Sequence, residues 1–468
     1  MSFALSLAGA LPAEPPRHKG RNSILHVKIF SIHVLEGFFE ETLNRLCNKF
    51  GRDLMQMGLD YLKLSDFEIR DRKILLRLDI NSPMDPKTNR ILDDSRILAA
   101  KPSLEVLRDA RVVVMAHQSR PGKGDFTSLQ QHADLLKTVC SQPVRFVEDV
   151  MGPSAKMAIN ETRRGEVLVL DNVRFCAEEN LEDKGEKLAK TNLVSRLAPL
   201  FELYVNDAFA SAHRSQASVV GFPQVLPSAA GLLLEKELTA LSRLLGEPDR
   251  PSTYLLGGAK IEDKVPVIEN ILATGKADQV LVGGNVGKVF LKAKNQKFNE
   301  SDESWLTSAI DSLQKASGML RKYGNRIVLP VDFGTLTDGK RSEVALRDIT
   351  KVTGDAMDIG SQTSKIFART VSESKTVVAS GPMGVFEQAG FESGTKLVLE
   401  AMANSGAFTV IGGGHLAGYA SMLGISDKFS HVSTAGGAML SMLAGEKLPA
   451  ITALEEASTR YTKARKVS

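Results

Sequence analysis

The chain has 468 residues, 43% hydrophobic and 24% charged, with 59 basic against 55 acidic side chains. That length suits two or three domains, and that composition suits a soluble globular protein able to build a core. A formal charge of +4 is too small to point to nucleic acid, so any anion site has to be local.

The N-terminal stretch MSFALSLAGALPAEPP has no basic residue before its apolar run, which makes it a poor signal peptide. Residues 1–60 read as a leader, an appendage or a mis-set start, with a Pro- and Arg-containing beginning and one amphipathic helix over 34–50. Met55 and Met57 stand just before the first regular element. No run approaches the roughly 18 apolar residues of a membrane span. Cys47, Cys140 and Cys176 are odd in number and far apart, which fits a reducing compartment. The expectation is a cytoplasmic protein with no membrane and no nucleic-acid partner.

From residue 74 onward, short β-branched apolar runs alternate with longer helical stretches. The runs are 74–80, 112–117, 144–147, 167–173 and 203–207, then 254–258, 279–284, 326–333, 376–381, 408–413 and 431–434. Continuous apolar runs of this kind predict parallel strands buried on both faces, hence a doubly wound α/β fold. Eleven strands are many for one twisted sheet, and a long helix divides the series. Pro227 and Ser228 are predicted to start that helix, Leu234, Leu238, Leu241 and Leu245 form its stripe, and Gly246 ends it. GEPDRP then reads as a linker. The predicted organisation is a leader over 1–60, one lobe over 61–245, a second over 250–430, and a C-terminal segment, 431–468, returning toward the first lobe.

Ligands of open parallel sheets bind beyond the carboxyl ends of the strands. In the first half those ends carry Asp79, Asn81, His117, Arg120, Arg174 and, after Asp207, His213 and Arg214; Arg96 follows in the loop after the first strand. Such a set suits a small polyanion, because arginine binds carboxylate and phosphate with a two-pronged fork. In the second half they carry Gly257, Gly258, Gly283, Gly284, Gly381, Gly412, Gly413, Gly414, Gly436 and Gly437. Gly257 and Gly258 run straight into Lys260 and Lys264, four apart on one helical face. Close backbone approach, a helix start and two lysines make a phosphate seat. GGNVGKV, residues 283–289, imitates a phosphate-binding loop but has one residue too few before Gly287-Lys288 and valine in place of Ser or Thr. No GxGxxG follows a strand.

The segments RLDINSP, DDSRI, AHQSRP, DNVRF, VNDAFASAHRSQAS, LPSAAGLLLEKEL, LGGAKIEDK, SGPMGVFE, GGGH and DKFSHVSTAGGA, in this order over about 64–455, resemble phosphoglycerate kinases, with RLDINSP and DDSRI nearest the archaeal branch. The resemblance implies two Rossmann-like lobes, each a parallel sheet flanked by helices, joined by a long helix and hinge. It implies reversible phosphoryl transfer between 1,3-bisphosphoglycerate and ADP, giving 3-phosphoglycerate and ATP, in glycolysis and gluconeogenesis. Asp79, Asn81, Arg96, His117, Arg120, Arg174 and Arg214 would bind the phosphoglycerate. Gly257, Gly258, Lys260, Lys264, Glu387, Gly412, Gly413, Gly414 and His415 would face the nucleotide, with Glu387 on the ribose. Arg96, Lys260 and Lys264 would act on the transferring group, and Mg2+ would arrive as the Mg-nucleotide complex. A monomer or a homodimer is compatible with the sequence.

Two positions depart from the commonest family pattern. His415 follows the triple glycine where most members have a magnesium-binding aspartate, so no protein metal ligand is assigned. Ser380 precedes Gly381-Pro382 where asparagine is usual. These departures supply the rival reading, a catalytically impaired relative that still binds nucleotide or anion. A kinase for another acyl phosphate is a third reading, and retention of the complete polar set opposes both.

Overall fold

The computed structural model describes residues 60–467 except Pro86, Asp338 and Thr434. The leader and its helix over 34–50 lie outside the described residues. Six strands form the first sheet: β1 (Lys73–Leu78), β2 (Arg111–Met115), β3 (Val144–Val147), β4 (Val167–Leu170), β5 (Leu203–Asp207) and β6 (Ser228–Ala230). Their spatial order is β3-β4-β2-β1-β5-β6, and every pairing is parallel. β1, β2, β4 and β5 are almost wholly buried, as the continuous apolar runs require.

A second parallel sheet has the order β15-β14-β13-β7-β8-β9. Its strands are β7 (Ser252–Leu256), β8 (Gln279–Val282), β9 (Ile327–Val328), β13 (Thr376–Ser380), β14 (Phe408–Gly412) and β15 (His431–Ser433). A small antiparallel sheet, β11-β10-β12, is built from β10 (Asp332–Thr337), β11 (Lys340–Ala345) and β12 (Ala356–Ile359).

Helix α1 (Leu232–Leu245) leads from the first sheet toward the second and buries Leu234, Leu238, Leu241 and Leu244. Its start differs from the sequence expectation. Pro227 and Ser228 lead into β6, where Tyr204 N–H donates to the Pro227 carbonyl at 2.9 Å, and the helix begins only at Leu232. Asp207, at the end of β5, fixes that start: its Oδ1 accepts from the N–H groups of Leu233 at 2.8 Å and Leu234 at 3.1 Å. A Cβ at Gly231 would lie 2.3 Å from that oxygen, so this close approach requires glycine. Asp207, read as a strand-end polar group, is thus a helix anchor.

The run 326–333 also divides differently. Pro330 lacks an N–H and interrupts the ladder, so the run splits between β9 and β10, which belong to different sheets. Four further helices are used below: α2 (Ile261–Ala273), α3 (Gly284–Ala293), α4 (Gly414–Met422) and α5 (Gly436–Leu443). The last helix, α6 (Pro449–Val467), contacts the first half: Arg460 Nη2 donates to the Pro223 carbonyl at 2.6 Å, and Tyr461 meets Phe67 at 5.2 Å between ring centres.

Candidate active site

Strand order determines where the polar side chains gather. In the first sheet the chain moves from β1 to β2 on one side and later returns to place β5 on the other, so the sheet has its switch point at β1 and β5. Leu78 is level with Asp207, and Arg77 with Met115, so the loops after β1, β2 and β5 leave the sheet side by side.

His117, just beyond β2, is 5% exposed, and its Nδ1 lies 3.0 Å from Arg77 Nη2. A guanidinium can only donate, so Nδ1 accepts, Nε2 carries the hydrogen, and the ring is neutral. Burial, followed by the charges of Arg77, Arg174, Arg214 and Arg96, holds its pKa well below the ordinary imidazole value. The fold therefore gathers Arg96, Arg174 and Arg214 around one neutral histidine.

Asp79 is 5% exposed and ion-paired with Arg96 on the short helix Ser95–Ala99. Asn81 Oδ1 accepts from Ser119 N–H at 2.7 Å, tying the loop after β1 to the loop that carries the exposed Arg120. Arg174 donates to the Ser119 carbonyl, while its buried Nε has no partner among the described residues. Burial first, then Arg214 and Arg77, push its pKa down to about 10. A buried donor without an acceptor, inside a cluster of cations, fits an anion. His213 has a buried, unpartnered Nδ1, and a Cβ on Gly437 of α5 would come within 3.4 Å of its ring.

Beneath this cluster lies a network that the sequence reading missed. Arg77 is fully buried, and its Nε donates to Ser218 Oγ at 2.9 Å. Ser218 in turn donates through N–H at 2.8 Å and through Oγ at 2.5 Å to Glu179, whose carboxyl pKa burial raises. One signal was available for Arg77: a charged residue inside an otherwise apolar strand is rarely buried without a partner. Glu179 lies outside any strand run and carried no such signal.

In the second sheet the switch point falls between β7 and β13. Leu256 is level with Ser380, and Ser380 with Gly412, so three glycine turns share one edge. The turns after β7 and β13 press together: a Cβ on Gly381 would lie 2.2 Å from the Gly257 carbonyl, and one on Gly257 would lie 2.3 Å from the Pro382 carbonyl. Gly258 and Gly381 also have φ of 86° and 81°.

Lys260 sits at the N-cap of α2 rather than on its first turn, and is exposed. Lys264, one turn further on, is 7% exposed and donates to Ser380 Oγ at 2.7 Å. Glu387 and His415 meet at 3.1 Å, Oε1 to Nδ1, although they lie on different turns. Gly412 ends β14, Gly413 is the N-cap of α4 and Gly414 begins it. By contrast Lys288, from the imitation phosphate loop, turns inward to Asp302 at 2.6 Å, both side chains being buried.

A family model described as "Phosphoglycerate kinase" matches residues 64–446. The phosphoglycerate kinase of Methanothermus fervidus is 44% identical over 407 residues, covering 86% of this chain and 99% of that protein. That of Methanothermobacter thermautotrophicus is 43% identical, covering 86% and 98%. The solved phosphoglycerate kinase of Pyrococcus horikoshii is 39% identical with a TM-score of 0.80 over 85% of this chain and 99% of that one. The Coxiella burnetii structure is 33% identical with a TM-score of 0.68, also over 85% and 99%. With both parallel sheets, the arginine cluster and the paired glycine turns in place, this chain belongs to the phosphoglycerate kinase family.

Proposed function

We propose that this protein catalyses reversible phosphoryl transfer between ATP and the carboxylate of 3-phosphoglycerate, a phosphotransferase reaction with a carboxyl acceptor. One observation carries the reading. A cationic cluster stands at the switch point of one sheet, a glycine and lysine seat stands at the switch point of the other, and α1 joins them.

Arg174, Arg214, Arg120, His117, Asn81 and Asp79 bind 3-phosphoglycerate. Neutral His117 contributes a hydrogen bond rather than a charge, and the free Nε of Arg174 finds its acceptor in the ligand. Gly257, Gly258, Lys260 and Lys264, with the turn at Gly412, Gly413 and Gly414, seat the nucleotide phosphates, and Glu387 with His415 faces the ribose. A carboxylate oxygen attacks the γ-phosphorus in line, the bond to the bridging oxygen breaks, and its electron pair leaves with ADP. The acceptor is already ionised near neutral pH, so no general base is required. Catalysis then consists of positioning two anions and neutralising charge on the moving group, with Arg96 on one side and Lys260 on the other.

Among the described residues no three His, Cys, Asp or Glu side chains gather to hold an ion, and His415 is bonded to Glu387. Imidazole is a poor partner for a hard cation. Mg2+ accordingly travels as part of the nucleotide substrate, held by phosphate oxygens and water. Closure of the two halves excludes the water that would otherwise take the phosphoryl group. Among the described residues no helix is long and apolar enough to cross a membrane, and we place the protein in the cytoplasm, in glycolysis and gluconeogenesis.

The test uses the reactivity of the acyl phosphate product. Incubation with MgATP, 3-phosphoglycerate and hydroxylamine should accumulate hydroxamate only when both substrates are present; no hydroxamate above the protein-free control would overturn the reading.

A further inference from the structure

Lys264 is a buried cation whose hydrogen-bond partner carries no charge. Its ammonium donates to the hydroxyl of Ser380, the last residue of β13, at 2.7 Å, and Ser380 itself is 1% exposed. The charged groups acting on Lys264 are Asp263, on the same helix, and Lys260, at its start; from β13 it meets the Ser380 hydroxyl. Burial pushes the Lys264 pKa down to about 8, with Asp263 opposing the shift and Lys260 adding to it. A hydroxyl suits such a group in either state, because it accepts from an ammonium and donates to a neutral amine.

Resting on the assignment of this seat to the nucleotide, we propose that Ser380 is a positioning residue that holds the Lys264 amine at the seat in either protonation state, and that an arriving nucleotide phosphate draws a proton from solvent onto Lys264. The proton balance is simple. The amine gains one H+ from the buffer, and the phosphate supplies none once the pH is well above its own last ionisation, near 6.

The direction follows from the charges. A phosphate beside Lys264 favours its charged form and raises its pKa. Below the free value the lysine is already protonated, so binding takes up little. Between the free value and the higher bound value each binding event takes up a proton, and affinity falls with rising pH by up to about tenfold per unit.

Isothermal titration of the full chain with MgADP, in two buffers of different ionisation enthalpy, reads this uptake directly. From the pKa shift, uptake should be below about 0.2 proton at pH 7 and above about 0.5 at pH 8.5. Lys264→Met should abolish it. Ser380→Ala leaves the buried amine without its acceptor, so its pKa falls further and uptake at pH 7 should rise above about 0.2 with affinity weakened roughly fivefold, whereas Ser380→Thr should restore both. A residue that merely packs would change affinity or stability but not the proton count. MgADP binding in the parent without uptake at pH 8.5 overturns the proposal, as does parent-like uptake in Ser380→Ala at pH 7. Absence of MgADP binding at both pH values would overturn this proposal together with the nucleotide assignment.

Discussion

Arg96 shows how the site manages its own charge. It is held by Asp79, so the cation stays in place beside His117 without an anion present. Arg96→Ala should lower turnover roughly a hundredfold or more while the circular dichroism spectrum stays near the parent's, because in the proposed mechanism this is the loss of a charge aimed at the transferring group. Near-normal turnover would remove Arg96 from the mechanism. A second residue-scale consequence concerns acid stability. His132 is buried, its Nε2 lies 3.0 Å from Gln118 Oε1, its Nδ1 is unpartnered, and burial pushes its pKa down to about 4. The unfolded chain takes up a proton there below about 6.5, so stability is complete above that pH and is lost as pH falls toward 4. His117 acts in the same direction. His132→Gln should remove about 3 kcal/mol of the acid-induced loss in urea unfolding between pH 7 and pH 4. An unchanged slope would show that His132 titrates normally.

At the scale of elements, the paired turns after β7 and β13 admit no side chain. Gly381→Ala places a methyl group against the Gly257 carbonyl and demands positive φ of alanine, so the seat must open. Nucleotide affinity, measured by titration, should weaken at least about tenfold, with 3-phosphoglycerate binding retained; parent-like nucleotide affinity would separate this turn from the seat. These glycines were legible in the sequence because they end apolar runs, and the buried parallel strands were legible because β-branched residues fill both faces. β6 was not. Ser228-Ala229-Ala230 has no β-branched or aromatic residue, and Pro227 imitates a helix start. The β10 and β11 hairpin escaped for a related reason: β11 reads KRSEVA, is half-exposed or exposed throughout, and pairs across a turn at Gly339. A strand such as β11, which buries neither face, carries little apolar signal.

The two halves meet through more than α1. Glu237, on that helix, has its Oε2 2.7 Å from Nε2 of His431 on β15, with both side chains buried. Ala450 of α6 donates through its N–H to the Ala212 carbonyl at 3.1 Å, and within the second half Asn270 of α2 donates to the Leu443 carbonyl of α5 at 2.8 Å. Contacts between residues 173 or more positions apart, as in all three, leave no periodic trace in a single sequence. The strand-end residues did leave one, and this is why the site's outer ring was readable while Arg77, Ser218 and Glu179 beneath it were not. The central claim is that an arginine half and a lysine half act on one phosphoryl group. A coupled assay of ATP-dependent 3-phosphoglycerate phosphorylation, run on the parent beside Lys260→Ala, tests it most directly. Lys260 is exposed at the N-cap of α2, so its loss spares the core. The parent should turn over and the variant should lose roughly a hundredfold or more; silence in both, with nucleotide still bound, would contradict the account and leave a protein that binds its ligands without joining them.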